Sequence, residues 1–297
     1  MRERAVRKLE NQPGASFAVK IFGITQKGNI KIYDISYPSQ LGGPVPAYLV
    51  VPPGKGPFAA VLYGHSAIPD SPVHNRLQFL EEATALAHAK AVSLLIDAPF
   101  ARPGAIPDED TLSSNNADLL FQQILDLRRG VDLLVSRPDV YSKRVAYVGH
   151  SYGASVGGIL AGVEKRIKAF VLMAGVLSNC ELASSAEPEV VRWKQTVSET
   201  RLQQYINTYG WLDPEHYIAK AAPAAVLLQY GAHDPILHER RAQYYYNFCS
   251  DPKTLKLYDA GHTLNMKARL DRVAWLRKRL RLRNIDPVLV EKVGESR

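Results

Sequence analysis

Beyond residue 58 the chain alternates two hydrophobic patterns. Short, continuous apolar runs cover 58–63, 92–96, 144–148, 167–173 and 224–230, with a last one at 254–258. Apolar runs of that length predict strands buried on both faces. Between them, apolar residues recur at helical spacing. The stretch 115–135 carries Leu119, Leu120, Ile124, Leu127, Val131 and Leu134 along one side, and 77–90 reads as a second helix. Strand and helix in alternation predict an α/β domain with a mostly parallel central sheet and helices on both faces. Upstream, 30–35 and 47–51 alternate as half-buried strands do, and the Pro- and Gly-containing stretch 38–46 joins them as a hairpin. Residues 1–26 show no firm pattern beyond a short surface helix over 2–11.

One connection breaks the rhythm. About 50 residues separate Met173 from Ala224, where roughly two to six are usual between helix and strand. We read the excess as a small helical cap, roughly 176–222, inserted into a single domain spanning 1–297. Its aromatic residues, Trp193, Tyr205, Tyr209, Trp211 and Tyr217, either pack the cap onto the sheet or line a pocket beneath it. Trp193 and Trp211 are taken as candidate substrate-binding residues.

Composition changes this picture little. Of 297 residues, 46% are apolar and 22% charged, which suits a globular domain with a sizeable core. No apolar run reaches the roughly 18 residues of a membrane span. The first eight residues carry charge with no apolar stretch behind them, so a cytoplasmic protein is expected. Two cysteines, Cys180 and Cys249, suggest neither a disulfide framework nor a metal site. The net charge of +8 is local: eight basic residues against Asp271 between Lys267 and Arg283. That is a solvated helix face in the first instance, or else a surface drawn to an acidic partner; no nucleic-acid-binding motif accompanies it.

The chemistry centres on Gly149-His150-Ser151-Tyr152-Gly153. A strand precedes it and a small-residue helix follows, the setting in which Gly-x-Ser-x-Gly forms a nucleophile elbow. There the serine stands on a strained turn, and the N–H of the next residue, Tyr152, faces a developing oxyanion at a helix N-terminus. A serine hydroxyl also needs an imidazole as base and a carboxylate to orient it. Asp234, in Tyr230-Gly231-Ala232-His233-Asp234, and His262, in Ala260-Gly261-His262, both follow strand ends, in the chain order Ser…Asp…His. His233 and His238 flank the acid and are poorly placed to reach Ser151. The second oxyanion N–H is expected from His65, or from Ser66, in the Tyr63-Gly64-His65-Ser66 loop. Asp97 ends the 92–96 strand, as a structural turn or a substrate-pocket residue. No glycine-rich phosphate loop or metal-binding motif occurs, so no cofactor is expected.

These segments, with Asp97-Ala98-Pro99-Phe100 and Asp126-Leu127-Arg128-Arg129-Gly130-Val131-Asp132, resemble the α/β-hydrolase superfamily over roughly 30–283. The resemblance is to its dienelactone hydrolase and acetyl xylan esterase-like branch. It implies the α/β-hydrolase fold, Ser151 as nucleophile, Asp234 as acid, His262 as base, and Tyr152 and His65 as oxyanion donors. One departure is Tyr63-Gly64, where such proteins usually carry His-Gly. The expected activity is hydrolysis of small to medium carboxylic esters through an acyl-enzyme. Within the class, a peptidase or thioesterase is the alternative; outside it, a non-catalytic ligand-binding protein on the same scaffold. The partner implied is a small-molecule ester, with no nucleic acid and no membrane span.

Overall fold

The structure is a computed structural model describing residues 17–67, 74–105, 114–178, 185–186 and 188–291. The helix expected over 2–11, and Cys180, lie outside those residues. The architecture is the α/β-hydrolase fold. Nine strands form one sheet: β1 (Lys20–Lys27), β2 (Ile30–Pro38), β3 (Pro44–Val51), β4 (Phe58–Gly64), β5 (Ala91–Ile96), β6 (Val140–His150), β7 (Ile167–Met173), β8 (Ala225–Gly231) and β9 (Lys253–Tyr258). Their order is β1-β2-β3-β5-β4-β6-β7-β8-β9. The first three strands pair antiparallel, and β3 joins β5 antiparallel. From β5 through β9 every pairing is parallel. The hairpin and all six downstream strands thus lie where the hydrophobic pattern puts them.

The parallel strands read as unbroken apolar runs because both faces are covered. In β4, Ala60 and Leu62 enter one core while Ala59, Val61 and Tyr63 enter the other. In β6, Val145 and Tyr147 go one way, Ala146 and Val148 the other. Leu86 of α1 (Leu80–His88) and Val273 and Leu276 of α7 (Met266–Leu280) cover one face. The opposite face is covered by α2 (Ser114–Ser136), α3 (Tyr152–Val163) and α6 (Glu239–Phe248). On α2, Ile124, Leu127, Val131 and Leu134 are buried as the periodicity requires.

Among the described residues between β7 and β8 are α4 (Pro188–Lys194) and α5 (Glu199–Tyr209), then three single 3₁₀ turns over 210–212, 214–216 and 218–220. These turns bury Leu212, Pro214, Tyr217 and Ile218, whereas α5 buries no residue fully. The described residues end on α8 (Pro287–Glu291). The basic helix α7 is not uniformly solvated. Arg272 is buried and pairs with the buried Glu82 of α1 at 2.6 Å. At the C-terminal end of the helix, Arg279 and Arg281 join Tyr141, Lys143 and Arg144 around an open cleft of about 370 Å³.

No helix among the described residues is long and apolar enough to cross a membrane. Among them, too, no group of three or more His, Cys, Asp or Glu side chains is placed to hold a metal ion.

Candidate active site

Three parallel strands deliver three side chains to one end of the sheet. Ser151 follows β6 and caps α3 with φ 53° and ψ −113°, a conformation L-residues rarely adopt. The surroundings enforce it. Ser151 N donates to Met173 O at 2.8 Å, and Gly153 N donates to His65 O at 3.1 Å. A side chain at Gly153 would strike the carbonyls of Gly64 and His65, and one at Gly149 would strike Gly153 O. Tyr147, buried beneath the turn, donates its hydroxyl to Gly153 O at 2.7 Å. The elbow is therefore clamped between β4 and β7, and its two glycines are steric requirements.

His262 lies on the loop between β9 and α7, and its Nε2 is 2.9 Å from Ser151 Oγ. Its Nδ1 is 2.6 Å from Asp234 Oδ2. The other carboxylate oxygen, Asp234 Oδ1, accepts from the N–H groups of Ile236 and Leu237 at 3.0 and 2.9 Å. Burial alone would raise the Asp234 carboxyl. The hydrogen bond from His262 and those from Leu237 and Ile236 outweigh burial and hold it below its ordinary value. Asp234 is thus an ionised acceptor that keeps the proton on His262 Nδ1 and leaves Nε2 to face the serine. The turn bearing Asp234 and the loop bearing His262 are stitched together by Ala232 N to Tyr258 O at 2.8 Å and His233 N to Ala260 O at 2.9 Å. His233 points away, to Asp259 on the surface, and His238 caps α6.

The remaining candidates fall in two groups. Tyr152 opens α3, so its N–H sits at the positive end of the helix beside Ser151. The His65 side chain does not face outward. Its Nε2 accepts from Ala98 N at 2.8 Å, which puts the proton on Nδ1, and Nδ1 donates to Ser66 O at 2.7 Å. Burial lowers this imidazole to about 4, so it is a neutral brace under the loop. Asp97 is likewise turned inward. Its Oδ1 accepts from Arg76 N at 2.8 Å, and its main-chain oxygen accepts from the Arg102 guanidinium at 3.2 Å. Trp211 stacks edge-on to Phe121 of α2 with ring centres 6.1 Å apart, and Trp193 is half-buried on α4.

Sequence reasoning missed two contributors. Gln78 sits in the turn before α1, and His150 is the variable residue of the elbow motif. Their side chains meet each other, and between them they touch the loops of His65 and His262. No local pattern marks Gln78, because its side-chain partners lie on two separate loops. His150 was visible as a position, without any sign of where its ring would point. Phe100 adds an aromatic wall, edge-on to both Tyr152 and His65 at 5.1 and 5.5 Å between ring centres.

The acetyl xylan esterase (AXE1) family profile matches residues 109–279, more than half of the chain. The chain belongs to this family. It is accordingly a carboxylesterase-type hydrolase. Among solved structures, the acetyl xylan esterase from Paenibacillus sp. R4 is 20% identical, with a TM-score of 0.74, over 94% of this chain and 93% of that one. Acetyl xylan esterase 1 from Thermoanaerobacterium sp. JW/SL YS485 is 18% identical, with a TM-score of 0.73, over 99% and 94%. An esterase from Pyrococcus furiosus, Pf2001, shares 16% identity and a TM-score of 0.59 over 84% and 92%. No curated protein matches the chain. At these identities the structural likeness establishes the fold, and the family rests on the profile match.

Proposed function

We propose that this AXE1-family protein is a serine esterase that cleaves small to medium carboxylic esters, acetyl esters foremost, through an acyl-enzyme on Ser151. The observation that carries the reading is the continuous line Ser151 Oγ, His262 Nε2, His262 Nδ1, Asp234 Oδ2, with steps of 2.9 and 2.6 Å across the line's two hydrogen bonds. Ser151 Oγ attacks the ester carbonyl while His262 Nε2 takes its proton. Asp234 stabilises the imidazolium. The carbonyl oxygen, now an anion, is met by the Tyr152 N–H and, across the elbow, by the backbone N–H of His65. Collapse of the tetrahedral intermediate returns the proton to the leaving alcohol. Water then enters, is deprotonated by His262, and releases the acid.

We read the acyl group as short. Phe100 and Tyr152 stand edge-on to each other beside the elbow, ring centres 5.1 Å apart. We read α4 and α5 as the cap, and Trp193 and Trp211 as residues that shape its underside. Acetyl xylan esterases as fold neighbours agree with a short acyl group. The test is initial-rate hydrolysis of p-nitrophenyl esters of increasing chain length by wild type and Ser151→Ala. Turnover highest on acetate and abolished in the variant is expected. Equal turnover by both proteins would remove Ser151 from the mechanism. Wild type inert towards every ester would favour a binding role on this scaffold.

A further inference from the structure

The chemistry proposed above needs three loops in register. The loop after β4 carries the His65 N–H, the elbow carries Ser151, and the loop after β9 carries His262. One line of side-chain hydrogen bonds joins all three. Ser66 N donates to Gln78 Oε1 at 2.7 Å. Gln78 Nε2 is 2.7 Å from His150 Nδ1. His150 Nε2 is 2.9 Å from the main-chain oxygen of His262.

The polarity of this line is forced from both ends. Ser66 N–H can only donate, so the end of Gln78 that meets it must be the oxygen. A carbonyl oxygen can only accept, so His150 carries its proton on Nε2 and donates to His262 O. Its Nδ1 is then an acceptor, and the Gln78 amide nitrogen donates to it. Each polar contact is matched and every member is neutral. The His150 ring is buried, and burial lowers it to about 4, so it keeps the single proton this arrangement requires. The charged or titratable groups felt at that ring are His262, Arg272 and Asp234.

Gln78 is itself held from outside the site. Its turn is anchored by Arg76 N on Asp97 Oδ1, and Arg76 pairs with Asp34 of β2 at 2.8 Å. The two ends of the line lie one residue from the expected oxyanion donor and on the base itself. His150 is covalently next to the nucleophile. A shift anywhere along the line changes the spacing between the oxyanion N–H, the serine oxygen and the imidazole.

We propose that Gln78 and His150 are positioning residues of the esterase, holding the oxyanion loop and the base loop at a set separation across Ser151. The inference rests on the serine-esterase reading. Misplacing catalytic groups by about 1 Å costs on the order of 100-fold in rate. Gln78→Leu keeps a branched side chain, one atom shorter, and removes both hydrogen bonds. It should lower kcat by about 10- to 100-fold on p-nitrophenyl acetate while leaving KM within about threefold, because substrate contacts stay and transition-state alignment goes. His150→Gln can still donate from its amide nitrogen towards His262 O, whereas His150→Leu cannot. The glutamine variant should therefore recover part of the rate that the leucine variant loses.

The experiment measures kcat, KM, the melting temperature and the rate of Ser151 labelling by a fluorophosphonate, for wild type and the three variants. Expected for Gln78→Leu is full labelling of Ser151 at a rate reduced by the same factor as kcat, with a melting temperature within a few degrees of wild type. Labelling and turnover at wild-type rates would overturn the positioning role and leave the esterase reading intact. A loss that only tracks the unfolded fraction would assign the line to stability and overturn the proposal as well. Wild type that hydrolyses esters without labelling at Ser151 would overturn the reading of Ser151 as nucleophile and this inference together.

Discussion

Replacing Asp234 by asparagine tests the electrostatic core of the site. The two carboxylate oxygens have different partners, and that decides how the amide will sit. Oδ1 accepts from Ile236 N and Leu237 N, which only an oxygen can do. In Asp234→Asn the amide oxygen is therefore held at that position, and the NH₂ group takes the place of Oδ2, facing His262 Nδ1. Two donors cannot share that contact. The imidazole must move its proton to Nε2, where the lone pair that receives the Ser151 proton would have been. The electrostatic loss is bounded by the geometry. Opposite charges 2.6 Å apart at an effective dielectric of about 20 attract by about 6 kcal/mol, or roughly four decades in rate. Charge delocalised over both groups, and the part-exposed imidazole, bring the figure below that ceiling. We expect kcat on p-nitrophenyl acetate to fall by about 10³- to 10⁴-fold, with circular dichroism unchanged. The assay is steady-state kinetics at a pH where wild type is fully active, with the Ser151→Ala protein as background. Residual activity within tenfold of wild type would refute the reasoning and move the acid to another strand end.

Other outcomes follow from the packing around the site. Gly153→Ala places a methyl group against the carbonyls of Gly64 and His65; urea unfolding should show a loss of about 1–3 kcal/mol, and ester turnover should fall because the His65 loop is pushed away from the elbow. Tyr147→Phe leaves the buried Gly153 oxygen without its 2.7 Å donor and should cost about 1–2 kcal/mol in the same measurement. Arg272→Met strands the buried Glu82 carboxylate, costing about 3–5 kcal/mol; adding Glu82→Leu should recover most of it. Burial would raise the Glu164 carboxyl, but its hydrogen bonds and ion pair with Arg166, with Arg128 nearby, outweigh burial and hold it below its ordinary value. The carboxylate therefore stabilises the fold fully above the unfolded-state value near about 4.3, and that contribution disappears as pH falls through the lowered folded value. Denaturation of wild type and Glu164→Gln across pH 7 to 2 should show their stabilities converging only at the acid end.

How far the sequence reveals this molecule depends on the range of the interactions involved. The parallel strands were legible because each is buried on both faces, so an apolar run of six or seven residues is the only pattern that satisfies its position. The strand β1 gave no such signal: all eight of its residues are exposed at the sheet edge, with a bulge between Ile21 and Gly23, and nothing constrains their polarity. Ser151, Asp234 and His262 could be picked out because each stands at the end of a predicted strand with small residues around it, and the structure brings the three together. Asp97 shared that signature, yet its carboxylate turns inward to the segment around Arg76. A strand-end carboxylate marks a sharp turn in either case, and only the three-dimensional path of the neighbouring loop separates the two. Gln78 was invisible for the converse reason. It lies 72 residues from His150 and 12 from Ser66, and a single amide that reaches both leaves no periodicity and no motif. Residues that do chemistry are confined to a few side-chain types at strand ends. Residues that could hold them in place can come from any loop, and in this fold Asp97 and Gln78 lie in one set of hydrogen bonds leading from β2 and the end of β5 to the loop of His262.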